Sequence, residues 1–227
     1  MNNRFLAAVI ILIVLLIVYR WRASRLTKIS AGGYRKWNVV ADYDNAHEAA
    51  ELLARVNSTM IEFMRYLEKK YHIDETDDVI DAESRGDKHN RIKNAPNNIY
   101  NIVDNLLNNY NLDTMYENDP RFSSDTSYTL NKGASMHVCL RDKVDPTKLV
   151  DFDTLLFVML HEASHIANYN GWGHDNQFWQ TFKFILHEAV LAGIYKPVNY
   201  KTRPKNYCGL EIAYQPLHDG SLANLWE

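Results

Sequence analysis

Residues 161–165 read His-Glu-Ala-Ser-His, directly after the apolar run Thr154–Leu160. Asp145-Pro146 ends whatever precedes this run, and Asp151 or Asp153 offers an N-cap, so the segment predicts a helix that carries His161 and His165 one turn apart. Four residues along a helix advance about 400°, which puts the two imidazoles about 40° apart on one face, where they can grip one ion. Neutral imidazole suits Zn²⁺, and a catalytic zinc site takes three protein ligands and keeps one position open. Asn168–Gly173 contains glycines that end a helix and reverse the chain, and His174 follows at once as the third ligand. In this reading Glu162 is not a ligand. It is the general base that takes a proton from the zinc-bound water and passes it to the leaving amine, the chemistry of peptide hydrolysis.

The chain around this motif has 227 residues, a formal net charge of −3 and 46% apolar residues, which describes one sizeable domain. The slight acidity argues against nucleic-acid binding through bulk charge, leaving Lys196, Lys201, Arg203 and Lys205 as a local basic strip that reads as a solvated loop. Cys139 and Cys208 are too few for a disulfide scaffold. One bridge between them stays open, and as free thiols they fit a reducing compartment.

Phe5–Tyr19 contains no charged or strongly polar residue, and Arg4, Arg20, Trp21 and Arg22 flank it. It predicts a transmembrane anchor over residues 1–22, and the excess of Arg20, Arg22, Arg25 and Lys28 after it predicts a single-pass protein with a cytosolic catalytic domain. A cleaved signal is the rival reading, but the nearest small-x-small site, Ala31-Gly32-Gly33, lies far downstream. Asn57-Ser58-Thr59 matches a glycosylation acceptor inside a helical pattern.

Residues 23–41 lack periodicity and read as a tether, with the folded domain over residues 42–227. From Asp44 to Tyr71, Ala49, Leu53, Val56, Met60, Met64 and Leu67 recur at helical spacing. Asp74–Lys93 is a charged stretch that reads as a loop, and His72 and His89 have no partner at ligand spacing. Pro96 opens a further helical pattern through Ile99, Ile102, Val103, Leu106, Leu107 and Tyr110. Ser127–Leu130 and Met136–Leu140 read as strands around a turn, with His137 in a structural role. After His174, the residues Phe178, Phe182, Ile185, Leu186, Ala189 and Val190 form one apolar helical face, so Phe178 and Trp179 read as core and His187-Glu188 as helix surface. Asp175 serves either as a cap or as an acceptor that orients an imidazole. Tyr195, Tyr200, Tyr207 and Tyr214 are the candidates for stabilising an oxyanion.

The run HEASHIANYNGWGHDNQFWQTFKFILHEAV resembles the active-site core of the WLM and SprT-like minimal zinc metallopeptidases, through His161, Glu162, His165, His174 and the pair Phe178-Trp179. The resemblance covers about residues 127–214, extends through GIYKPVNY and YCGLEI, and leaves out the N-terminal third. It implies an α+β zincin domain, a small antiparallel sheet packed on helices, with Zn²⁺ as cofactor and a protein or peptide substrate paired along the strand Met136–Leu140. The full expectation is a membrane-anchored zinc metallopeptidase. Its rivals are a zinc-binding domain that does not cleave, a DNA-associated protease acting on crosslinked proteins, and a secreted protease.

Overall fold

The computed structural model describes residues 3–23, 26–71 and 99–226, apart from 112, 120, 122, 124, 169, 170 and 172. The charged stretch Asp74–Lys93, with His72, His89 and Pro96, lies outside the described residues.

The first helix, α1 (Asn3–Ala23), corrects the expected anchor: no helix among the described residues is long and apolar enough to cross a membrane. The uninterrupted apolar run is fifteen residues. At 1.5 Å per residue it covers about 23 Å, short of a hydrocarbon core of ~30 Å. The transmembrane segment, the single-pass placement and the cytosolic orientation derived from it are all overturned.

The expected tether is also corrected. Leu26–Ser30 (β1) and Lys36–Val40 (β2) form an antiparallel hairpin that belongs to the main sheet. Trp37, Val39 and Val40 are buried, and the Trp37 indole donates to the Ala31 carbonyl at 3.0 Å. Five-residue strands are too short for a period of two to stand out in the sequence. The hairpin turn passes so close to the following helix that a Cβ on Gly32, whose φ is +62°, would lie 2.8 Å from the Ala54 methyl.

Helix α2 (Ala46–Tyr71) buries the expected stripe of Ala49, Leu53, Val56, Met60 and Leu67 together with Phe63, while Met64 is half-buried. Asn57 lies on the buried face at 2% exposure, so Asn57-Ser58-Thr59 is not presented as an acceptor in the folded domain. Helix α3 (Ile99–Asn109) buries Ile102, Val103 and Leu106.

Met115–Glu117 (β3), Tyr128–Leu130 (β4) and Ser135–Val138 (β5) complete a five-stranded sheet of order β1-β2-β3-β5-β4. The sheet is mixed, not antiparallel as expected: β2 pairs with β3 and β3 with β5 in parallel, while β4 closes the edge antiparallel to β5, with Tyr128 opposite His137 and Leu130 opposite Ser135. Parallel neighbours need a crossover, which α2 and α3 supply between β2 and β3. Because β5 has a neighbour on each side, the edge available for pairing is β4, not Met136–Leu140. His137 is structural, stacked between Tyr116 at 5.2 Å and Tyr128 at 4.7 Å.

Beneath β3 lies a buried ion pair, Arg141 to Glu117 at 2.6 Å, with neither side chain exposed. Glu117 also accepts from the Val40 amide at 2.6 Å, and Arg141 donates to Asn45 and to the Pro146 carbonyl with its guanidinium over the Tyr43 ring. Glu117 and the Nε and Nη1 of Arg141 thus find partners from several segments, as buried charges require, while Arg141 Nη2 is buried without a hydrogen-bond partner among the described residues.

Helix α4 (Phe152–Ala167) carries the motif, and α5 (Asn176–Leu191) packs behind it. The reading of His187-Glu188 as surface is corrected for Glu188. It is 1% exposed, bound to the Lys70 ammonium at 2.6 Å and to the Tyr66 hydroxyl at 3.2 Å. A second hairpin, β6 (Lys205–Tyr207) and β7 (Leu210–Ile212), is tied to the end of β5 by a disulfide between Cys139 and Cys208. This bridge overturns the reading of two free thiols.

Candidate metal centre

Of the two possible caps of α4, the structure uses Asp151, which accepts from the Thr154 amide at 2.9 Å and from its hydroxyl at 2.8 Å. Every residue from Thr154 to Leu160 is buried, so the helix is held on all sides before it presents His161 and His165 to the cleft. Asn168 ends the helix, its amide donating to the Ser164 carbonyl. The chain then turns through Gly171 and Gly173 to His174. At Gly171 a Cβ would lie 2.2 Å from the Asn168 amide nitrogen, and Gly173 has a φ of +68°. Asp175 caps α5 by accepting from the Phe178 amide at 2.7 Å, which decides between its two readings in favour of the cap.

His161, His165 and His174 meet at their Nε2 atoms. The His174 nitrogen lies 3.0 Å from that of His161 and 3.1 Å from that of His165. Tetrahedral nitrogen ligands at Zn–N distances of ~2.0–2.1 Å stand about 3.3 Å apart. Burial depresses all three imidazole pKa values, that of His161 well below its usual range and that of His165 to about 4, and the neighbouring histidines add to both. Neutral imidazoles whose Nε2 atoms converge can turn three lone pairs on one cation, so the donor set fits a borderline ion such as Zn²⁺.

Aromatic rings fix the orientation of these imidazoles. Phe178 stacks on His165 at 4.3 Å, Trp179 on His174 at 5.5 Å, and Phe182 meets His161 edge-on at 5.1 Å. Phe178 is core, as expected. Trp179 is only partly buried, and with Tyr214 at 4.9 Å it forms a wall of the cleft, which corrects its core assignment.

Glu162 points into the same cleft, of about 590 Å³, yet is only 4% exposed. Burial pushes its carboxyl pKa up to about 7, against the opposing effect of Thr129, whose hydroxyl donates to Oε2 at 3.1 Å. Thr129 lies 33 residues before Glu162 on β4, and no motif spacing links them.

The four tyrosines separate cleanly. Tyr195 and Tyr200 are core residues packed on Phe157, with the Tyr195 hydroxyl accepting from Gln215 at 2.9 Å. Tyr207 lines the cleft but is buried, its hydroxyl donating to the Cys139 carbonyl at 2.7 Å beside Ser127 at 2.6 Å. Tyr214 lines the cleft with 39% exposure and donates to Asp219 at 2.7 Å. Of the basic strip, Lys205 pairs with Asp151 at 3.7 Å.

Fold and site together define a mixed α+β domain with a three-histidine cluster, able to hold a metal ion, at the end of a buried helix. A family model described as the WLM domain matches residues 78–212, more than half of the sequence, and the chain belongs to the WLM family. Uncharacterized protein R325 of Acanthamoeba polyphaga mimivirus is 34% identical over 99 residues, 44% of this chain and 49% of its own length. Uncharacterized protein 042R of Invertebrate iridescent virus 3 is 39% identical over 84 residues, 37% of this chain and 50% of its own. The chain thus spans about half the length of the curated relatives it matches. Among solved structures, Wss1 from Saccharomyces cerevisiae overlaps 68% of this chain and 88% of its own at 16% identity, with a TM-score of 0.43.

Proposed function

We propose that this domain is a zinc metallopeptidase, with His161, His165 and His174 as ligands and Glu162 as general base. The observation that carries the reading is the convergence of three neutral imidazole nitrogens beside a buried carboxyl in one cleft. When bound, zinc supplies a Lewis acid that polarises a peptide carbonyl and brings the pKa of water down to about 7.

The protein's own groups do the rest. Glu162 is buried in the cleft beside the three imidazoles, so its carboxylate can accept a proton from the attacking water and return it to the leaving nitrogen. Thr129 holds one carboxylate oxygen in place, so the proton transfers start from a fixed geometry. A protein or peptide substrate lies extended along β4, the edge strand whose residues Tyr128 and Thr129 line the cleft. Backbone pairing there is indifferent to side chains, while Phe157, Val158, Trp179 and Ile212 offer an apolar wall for one of them.

The test uses the full chain, wild type beside Glu162→Gln, with zinc content measured together with cleavage of casein and mixed peptides. Both forms should carry about one zinc, and the variant should lose roughly 10²–10⁴-fold in cleavage rate. Undiminished cleavage by the variant would remove Glu162 from its role. A folded wild type that holds no zinc overturns the metal site itself.

A further inference from the structure

His161 and His165 share one helix, so their relative position is set by helical geometry alone. His174 is different: it arrives across an irregular turn after the helix has ended. The last carbonyls of a helix have no intrahelical donors. In α4 and the turn beyond it, three of these oxygens meet a single side chain. Lys132 Nζ lies 3.3 Å from the carbonyl of His165, 2.7 Å from that of Asn168 and 2.5 Å from that of Gly171. An ammonium carries three N–H donors, one for each. A cation also suits the negative end of the helix dipole.

Lys132 itself is held firmly. It sits in the 3-10 turn Asn131–Gly133 between β4 and β5, in the left-handed region with φ +55°. The turn is seated against α3, where a Cβ on Gly133 would lie 2.0 Å from the Asn109 carbonyl oxygen. Asn105 of α3 donates to the Ala167 carbonyl at 3.2 Å, so α3 and the β4–β5 turn together close the end of α4.

We infer that Lys132 is a positioning residue for the third histidine: by joining the carbonyls of His165, Asn168 and Gly171, it holds the turn that brings His174 to the other two imidazoles. The inference rests on the metal-site reading above. Fixing the Asn168 and Gly171 carbonyls before the ion arrives spares binding part of the entropy of placing His174, so Lys132 acts on affinity chiefly through His174.

The experiment measures zinc affinity of the full chain by competition with a chromogenic chelator, for wild type, Lys132→Met, Lys132→Gln, His174→Ala and the double variant Lys132→Met/His174→Ala. Lys132→Met should weaken binding about 10–100-fold, the range for residues that orient metal ligands. Lys132→Gln, which keeps an N–H donor, should fall between it and wild type. On the His174→Ala background, Lys132→Met should cost far less than in wild type, as a double-mutant cycle requires of a residue that acts chiefly through another. Equal affinity of Lys132→Met and wild type overturns the inference, and so does the same loss on both backgrounds, which would mark a helix cap with no bearing on His174. Should Lys132→Met fail to fold by circular dichroism, Lys132→Gln carries the same cycle. A wild type that binds no zinc instead removes the metal-site reading, and the inference with it.

Discussion

Cys139, at the end of β5, is bonded to Cys208, in the turn of the β6–β7 hairpin, 69 residues further on. The loop so closed contains His161, Glu162, His165 and His174, and the hairpin it anchors supplies Tyr207, Leu210 and Ile212 to the cleft. In the chain-entropy account a bridge of this span stabilises the fold by about 4 kcal/mol. Cys208→Ala, or unfolding in excess reductant, should therefore lower the urea midpoint by the equivalent of that amount. An unchanged midpoint would mean that the hairpin is held by packing alone.

Gly171→Ala should disturb the metal site without touching a ligand. The added methyl falls 2.2 Å from Asn168 Nδ2, so the side chain or the turn must shift. Zinc affinity is expected to fall about tenfold or more while the fold is retained, as for other changes behind a metal ligand. Chelator competition together with thermal melting separates the two effects.

Breaking the Glu117–Arg141 pair from one side leaves a buried, uncompensated charge, which costs about 3–5 kcal/mol. Glu117→Leu should cost that much in urea denaturation. Replacing both partners with apolar residues should recover a large part of the loss. A single variant as stable as wild type would contradict the burial of this pair.

Asp219 provides a pH dependence with a definite sign. The Ser221 hydroxyl, the Tyr214 hydroxyl and the Ser221 amide stabilise its charged form and hold its pKa at about 2, below the ~3.9 of a free aspartate. A lowered pKa contributes stability above the unfolded value and loses it as pH falls through the folded one. The chain should thus lose stability from this group between about pH 4 and pH 2, and Asp219→Asn should flatten that part of the melting curve. An identical acid profile in the variant would exclude the contribution.

Local regularities were legible along the chain. Helix α2 announced itself through an apolar stripe about five turns long, and α4 through an apolar run behind an Asp cap. Short strands were harder to read. Lys36–Val40 buries Trp37, Val39 and Val40 in a sheet where its partner on the inner side, β3, lies more than seventy residues away, and five residues carry too little pattern to show it. The N-terminal segment misled for a related reason, since hydropathy reports what a run of residues prefers to touch but not whether its span suffices.

The sequence by itself determined the chemistry on offer: two histidines one helical turn apart, a carboxyl between them, and a glycine turn leading to a third histidine. These follow from helix periodicity and backbone conformation, which act over a few residues. Tertiary structure alone decided what those groups become. Thr129 meets Glu162 from 33 residues away, Lys132 reaches the end of α4, Cys139 finds Cys208, and β4 takes the sheet edge from β5. Such contacts depend on how whole elements pack, and the burial they impose sets the protonation of a carboxyl whose identity alone would leave it an ordinary glutamate.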